Sequence, residues 1–334
     1  MDHLTRSSRN TFARLSLDKS TLLRTDQAWV DDRLADSASR FVLVWRSQQL
    51  FSREPTEPVL LVREEVADLI DSGGAITLLG TRDGEAIFGL GVVAEHSDLD
   101  QRFAAHGSFK DLRRLSARLS ADDAAVLAYS RAMAYWHQHH VYCGKCGAST
   151  VSTEAGHCRV CSDATCAQQH HPRTDPAIIV LVEYEDRCLL ARQSIWPPTM
   201  YSSIAGFVEP GETLESAVVR EVFEETNISV KEVHYHSSQP WPFPCSIMLG
   251  FHAVADSTDI KLNDGELEDA LWLSREELVE RISAGSLQVP PSVSIAYRLV
   301  EHWYDAGELG TLAQLNERLA GRATIEPGRI RTPE

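Results

Sequence analysis

The stretch from Gly206 to Ile228, GFVEPGETLESAVVREVFEETNI, places Glu209, Glu212, Glu215, Glu221, Glu224 and Glu225 in and just before one helical run. Leu214 to Thr226 contains no Gly or Pro, Thr213 is suited to cap its start, and Asn227 can take the left-handed conformation that stops it. At about 100° per residue, Glu221, Glu224 and Glu225 fall within roughly a third of the circumference. Val218, Val219, Val222 and Phe223 are expected to fill the opposite, apolar arc. A surface Glu is ordinarily paired with Lys or Arg four residues away, but here Glu221 meets Glu225 at that spacing, a repulsion of a few tenths of a kcal/mol. A bound cation would remove it. Crowded carboxylates with Glu212 ahead of them suit hard divalent ions, whose coordination is usually completed by waters and substrate phosphates.

A second constellation is made of sulfur. Cys143 and Cys146 form one Cys-x-x-Cys knuckle, and the partner pair is either Cys158 with Cys161 or Cys161 with Cys166. Both registers fit a tetrahedral zinc ribbon, and spacing alone favours the tidier Cys-x-x-Cys of Cys158 with Cys161. Seven cysteines, five of them between 143 and 166, read as metal ligands in a reducing compartment rather than as a disulfide framework. The adjacent His170 and His171 would aim apart, and four thiols are at hand, so neither is needed on the metal. A third feature is SQPWPFPCS, Ser238 to Ser246. Its prolines at 240, 242 and 244 stiffen the backbone and remove three amide donors, which excludes a central strand and leaves Trp241 and Phe243 on a rigid loop.

The elements that must position these groups follow from periodicity. From Arg40 the runs FVLVW, PVLLV, AITLLG and AIFGLGV, with a hairpin signal at Asp83-Gly84, predict an antiparallel sheet with a helix at Glu64 to Ile70. Ala121 to His140 reads as a helix capped by Ser120 or Asp122 that leads into the cysteines. AIIVLVEY and RCLLARQS are two strands, and SSIAGFV is a third that delivers Gly206 and Glu209 to the acidic helix. Val230 to His236, Ile247 to Ala255 and the start of ELEDALWLSREEL are further strands, the last followed by a helix. The chain divides into a β-rich scaffold (1–125), a linking helix and ribbon (126–172), a catalytic domain (173–322) and a tail (323–334).

The 334 residues are 43% apolar with a formal charge of −16, which argues against broad, sequence-independent affinity for nucleic acid or anionic membrane. No apolar run approaches about 18 residues, and the N-terminal segment lacks the apolar centre of a signal peptide. The expectation is a soluble, cytoplasmic protein.

The acidic stretch resembles the Nudix box: Gly206, Glu212, Arg220, Glu221, Val222, Glu224, Glu225 and Ile228 stand where that pattern asks, and only Asn227 replaces its usual Gly. Ser238 to Ser246 is similar to the signature that sets the NADH pyrophosphatases apart from other Nudix hydrolases. The ribbon followed by HHPRTDP resembles the one that precedes their catalytic domain. This resemblance implies an α+β architecture in which a β-rich N-terminal domain and zinc ribbon precede a Nudix αβα sandwich on a mixed sheet. It implies structural Zn²⁺ on Cys143, Cys146, Cys161 and Cys166, leaving Cys158 spare. It implies Mg²⁺ or Mn²⁺ on Glu221, Glu224, Glu225 and Glu266, with Glu268 and Asp269 ranked behind Glu266. Glu225 or Glu224 would position or deprotonate the attacking water, with Glu221 beside them, and Arg220 would orient a carboxylate. Ala205, Phe207, His171, Ala296 and, on the proline-rich loop, Gln239, Pro240, Trp241, Pro242, Phe243, Pro244 and Ser246 would contact the dinucleotide. The implied activity is hydrolysis of NADH or NAD⁺ to nicotinamide mononucleotide and AMP, with NAD-cap removal from RNA as a second substrate and a homodimer as the assembly. The competing class is a non-catalytic NAD or ADP-ribose sensor whose ribbon touches nucleic acid. Intact Glu221, Glu224 and Glu225, and few basic residues near the ribbon (Lys145, Arg159, Arg173), argue against it.

Overall fold

The structure, a computed structural model, describes residues 1–92, 98–263 and 265–323. The expected tail at 323–334 lies, apart from its first residue, outside the described residues. The chain forms two compact units: Met1–Asn10 with Pro176–Ser238 and Met248 onward, and Thr11–Asp175 with Gln239–Ile247.

In chain order, helix α1 (His3–Ser8) is followed by α2 (Gln27–Ala35), strands β1 (Arg40–Trp45) and β2 (Gln48–Phe51), α3 (Arg63–Asp71), and strands β3 (Ala75–Arg82) and β4 (Glu85–Val92). Next come α4 (Leu99–Arg102), β5 (Ser108–Lys110), α5 (Leu112–Leu115) and the long α6 (Ala121–His139), whose N-cap is Ser120. The sheet of this unit runs β3-β4-β1-β2-β5. Two expectations are corrected here. The sheet is not wholly antiparallel: β1 and β4 pair in parallel, possible because α3 and β3 intervene as the crossover. PVLLV forms no strand, because it passes from a bridge at Phe51↔Pro58 to one at Phe41↔Leu61 and never follows one neighbour for two rungs. β2 and β5 take the place it was expected to fill. Phe41, Leu43, Trp45, Phe88 and Leu90 centre the core of this sheet.

The ribbon is a small sheet of β6 (Thr150–Thr153), β7 (Cys158–Cys161) and β8 (Gln169–His170). Then follow β9 (Asp175–Tyr184), β10 (Arg187–Gln193), β11 (Ile204–Phe207), α7 (Leu214–Thr226), β12 (Val230–Trp241), β13 (Ser246–Ala255), β14 (Leu267–Leu273), α8 (Arg275–Ser283), α9 (Ile295–Asp305) and α10 (Leu312–Ala323). The sheet order is β12-β13-β9-β10-β14, with β11 also on β9, and the β9–β10, β9–β11 and β10–β14 pairs are antiparallel.

Strand alternation then builds two cores. Ile178, Val180, Val182, Leu189 and Ala191 face α7, while Ile179, Leu181, Cys188 and Leu190 face α8, α9 and α10. The sheet is therefore sandwiched between helices. β12 extends past the expected His236 to Trp241, but as the edge strand, where Pro240 leaves no ladder donor missing.

Candidate active site and cysteine centre

Helix α7 begins and ends as its residues dictate. Thr213 accepts the Ser216 N–H at its start, and Asn227 closes it at φ 61°, its own N–H donating to the Phe223 carbonyl. Its phase differs from the expected one. Ala217, Val218, Val222, Glu225 and Thr226 are the buried set, and Val219 and Phe223 are exposed. Glu225, only 3% exposed, occupies the middle of the inward face, so the acidic arc and the buried arc overlap instead of opposing each other.

Arg220 supplies a resident cation. Its Nε and Nη2 donate to the two Glu212 oxygens at 2.6 and 2.9 Å, Nη1 donates to Glu221 Oε1 (2.9 Å) and Glu224 Oε2 (3.0 Å), and Nη2 also reaches the Phe207 carbonyl (2.9 Å). One planar fork thus ties the turn before the helix, the end of β11 and two of the acidic side chains. Glu212 also accepts the Glu209 N–H at 3.0 Å, and Arg220 with that amide holds its carboxyl down to about 2. Glu221 behaves oppositely: burial, offset by Arg220 but reinforced by Glu224 and Glu266, raises its pKa. That Glu266 contributes to this field places it near Glu221. Its Oε1 accepts from Gln193 Nε2 at 2.9 Å, whereas Glu268 is engaged by Arg192 and Asp269 by the Tyr201 hydroxyl.

Gly206 explains itself by proximity. A Cβ there would meet the Glu221 carboxylate, so any other residue at this place on β11 would push that carboxylate aside. Ala205, half-buried, and Phe207, 60% exposed, flank it on the same strand. Ala296 does not offer a surface: it is fully enclosed in the apolar core at the start of α9, where the helix packs against the sheet.

The proline-rich segment belongs to the other unit. Trp241 and Phe243 are half-buried, 5.1 Å apart edge to face, and Phe12 packs against both. Arg113 lies over Trp241 and Arg131 over Phe243, and Arg131 Nε donates to the Pro242 carbonyl at 2.9 Å. The rings are thus held by partners instead of standing free on a loop. Gln239 is buried, its Nε2 donating to the Thr11 carbonyl, Pro242 is buried, Ser246 is half-buried, and Pro240 and Pro244 are exposed. Of these, Pro240, Trp241, Pro242 and Ser246 line a cavity of about 360 Å³ with Phe12, Tyr129 and Lys19; Gln239, Phe243 and Pro244 do not.

Among the described residues, the sulfurs of Cys143, Cys146, Cys161 and Cys166 are the one set of potential ligand atoms lying within 4.8 Å of one another. The measured Sγ–Sγ distances of 3.9 Å (143–166) and 3.4 Å (146–161) bracket the about 3.8 Å expected of thiolates set tetrahedrally 2.3 Å from zinc. Cys158 is fully buried outside that set. Burial raises the Cys143 thiol, but N–H groups of Lys145 and Cys146 and the His170 ring outweigh it and bring it down to about 6. His170 Nε2 stands 3.3 Å from Cys143 Sγ, a contact sequence reasoning did not anticipate, while His171 is exposed.

Comparison with known proteins adds the following. A NUDIX domain model matches residues 172–292, and a model described as an NADH pyrophosphatase-like rudimentary NUDIX domain matches residues 38–136. The chain is 44% identical over 197 residues to NAD-capped RNA hydrolase NUDT12 of Macaca fascicularis, covering 56% of this chain and 43% of that protein. It is 39% identical over 203 residues to NAD-capped RNA hydrolase NudC of Mycobacterium bovis (strain BCG / Pasteur 1173P2), covering 58% and 64% respectively. It is 37% identical over 221 residues to the mitochondrial NAD(P)H pyrophosphatase NUDT13 of Mus musculus, covering 62% of each. The chain spans less than half the length of the first relatives it matches.

Proposed function

We propose that the chain is an NADH pyrophosphatase of the Nudix class and hydrolyses the pyrophosphate of NADH or NAD⁺, and of NAD at the 5′ end of capped RNA, a reading supported by the two matching domain models and the relatives above. Water attacks one phosphorus and the bridging P–O bond breaks, so that nicotinamide mononucleotide parts from AMP, or from 5′-monophosphate RNA where the substrate is capped RNA. The observation that carries this reading is the carboxylate array of α7, ordered by Arg220 and closed against Gly206.

Glu221, Glu224, Glu225 and Glu266 are the residues that would hold Mg²⁺ or Mn²⁺. Their oxygens are the hard donors such ions take, and a cation would offset both the burial and the lesser repulsion from Glu224 and Glu266 that raise Glu221. A bound ion of this kind neutralises phosphate charge and acidifies water. Arg220 keeps Glu221 and Glu224 aimed from one helix face while its own charge is absorbed by Glu212. Glu225, buried beside them, is the candidate for holding the attacking water and taking its proton, with Glu224 as the alternative. Phe207 offers an exposed ring on which a base or nicotinamide can stack, an interaction worth about 1–3 kcal/mol. The four thiols would take Zn²⁺ with no coordination position left for substrate, so that metal is structural. A homodimer in the cytoplasm completes the proposal. No helix among the described residues is long and apolar enough to cross a membrane.

The test is to incubate the purified protein with Mg²⁺ or Mn²⁺ and NADH, ADP-ribose or NAD-capped RNA, beside Glu225→Gln. Turnover of NADH or capped RNA is expected, with the variant slower by about 10²- to 10⁴-fold. No turnover of any of the three by the wild type would remove the enzymatic reading and leave a dinucleotide-binding module.

A further inference from the structure

On the sheet face opposite α7, the imidazoles of His236, His252 and His302 form a nearly equilateral triangle. Their ring centres are 5.3 Å (236–252), 5.0 Å (236–302) and 5.1 Å (252–302) apart. Strand order is the cause. β12, β13 and β9 are successive neighbours, so His236, His252 and Glu183 stand abreast, and α9 lays His302 across them. His252 Nδ1 is 2.5 Å from Glu183 Oε1, and its Nε2 is buried with no hydrogen-bond partner. His236 Nδ1 is likewise engaged, 2.8 Å from the Ser237 hydroxyl.

We propose that His236, His252 and His302 form a binding site for one divalent transition-metal ion of the zinc class, with Glu183 as the carboxylate that orients His252. Metal-bound imidazoles characteristically give their second nitrogen to such a carboxylate, which fixes the tautomer and leaves the other lone pair for the ion. Three imidazoles bound through nitrogen at about 2.05 Å with tetrahedral angles have ring centres about 5.2 Å apart. The triangle already has that size. The nitrogens themselves are not gathered as the cysteine sulfurs are. Loading the site therefore requires the rings to turn about χ2, a torsion with broad wells. Two of the three rings, His236 and His302, are also driven toward the neutral form. Burial first, then the neighbouring His252 and His302, hold His236 down to about 3, and burial lowers His302. Neutral imidazoles are the form that binds metal.

A cavity of about 250 Å³ adjoins His252 and His302, with Arg6, Arg275 and Glu183 in its wall. It has room for a fourth ligand, and its two guanidinium groups would favour water or a small anion there. The soft thiolate site and the hard carboxylate site are distinguishable from this one by their ligands, which is what makes the proposal testable.

The experiment uses the full chain with its cysteine site loaded with zinc and an excess of Mg²⁺ present, titrated with Co²⁺. One further equivalent is expected, with tetrahedral d–d absorption and no thiolate-to-cobalt charge-transfer band. His252→Ala and His302→Ala should each lose that equivalent. Glu183→Gln should keep it but bind about 10- to 100-fold more weakly. X-ray absorption of the wild-type cobalt form should count three imidazoles, a readout that stands even if a variant fails to fold. Absence of the extra equivalent, its survival in both histidine variants, or fewer than two imidazoles in the shell would each overturn the site and leave three rings packed as core. None of these outcomes bears on NADH turnover.

Discussion

Arg220 sits between two glutamates that it affects in opposite circumstances. Glu212 is pulled from an ordinary 4.5 to about 2, mainly by the Arg220 fork, whereas Glu221 is raised because burial outweighs the same guanidinium. A carboxyl depressed in the folded state contributes stability that is complete above its unfolded value and is lost only as pH falls through the folded one. The tie between Glu212 and Arg220 therefore outlasts mild acid, while Glu221 takes up its proton earlier than an ordinary Glu. Lowering the pH from about 7 to about 5 should raise the Mg²⁺ concentration needed for half-maximal activity while the near-ultraviolet circular dichroism stays unchanged. Parallel loss of both signals would show that the fold, not the ligand, is titrating.

Among the elements, those fixed by local chemistry were legible in the sequence and those fixed by distant partners were not. The ends of α7 follow from Thr213 and Asn227, because each cap is satisfied within one turn. The phase of α7 was misread: hydrophobicity alone put Val219 and Phe223 inward, but packing on the sheet turned Glu225 in and left them out. PVLLV has strand composition, yet its neighbours change midway along it. The histidine triangle was invisible for the same reason, since its members come from β12, β13 and α9. The ribbon shows both sides. Its first knuckle was plain, but spacing left Cys158 and Cys166 as alternatives, and only the folded β7 turns Cys158 into the core. Cys158→Ser should accordingly retain the wild type's zinc content by metal analysis. Cys166→Ser should lose it or bind it far more weakly, with a lower melting temperature, since ligation and folding are coupled at such sites. Equal zinc content in the two variants would mean the register is wrong.

Over the whole molecule, the charge of −16 sets how substrates of different size arrive. Capped RNA carries many phosphates and NADH few, so the field of the protein should hinder the former more at low ionic strength. Between about 10 mM and about 150 mM salt the screening length falls from about 30 to about 8 Å. Over that range kcat/KM for NAD-capped RNA should rise relative to NADH; a fall would reveal a local basic groove strong enough to override the net charge. The division of the chain has a different consequence, which concerns its birth on the ribosome. Thr11–Asp175 is completed by Gln239–Ile247, and the other unit takes up Met1–Asn10. At about 5–20 residues per second, the nascent first unit waits roughly 4–14 s for its last segment to be synthesised. Chaperones therefore meet a polypeptide in which Met1–Asn10 wait for a unit that has still to be synthesised.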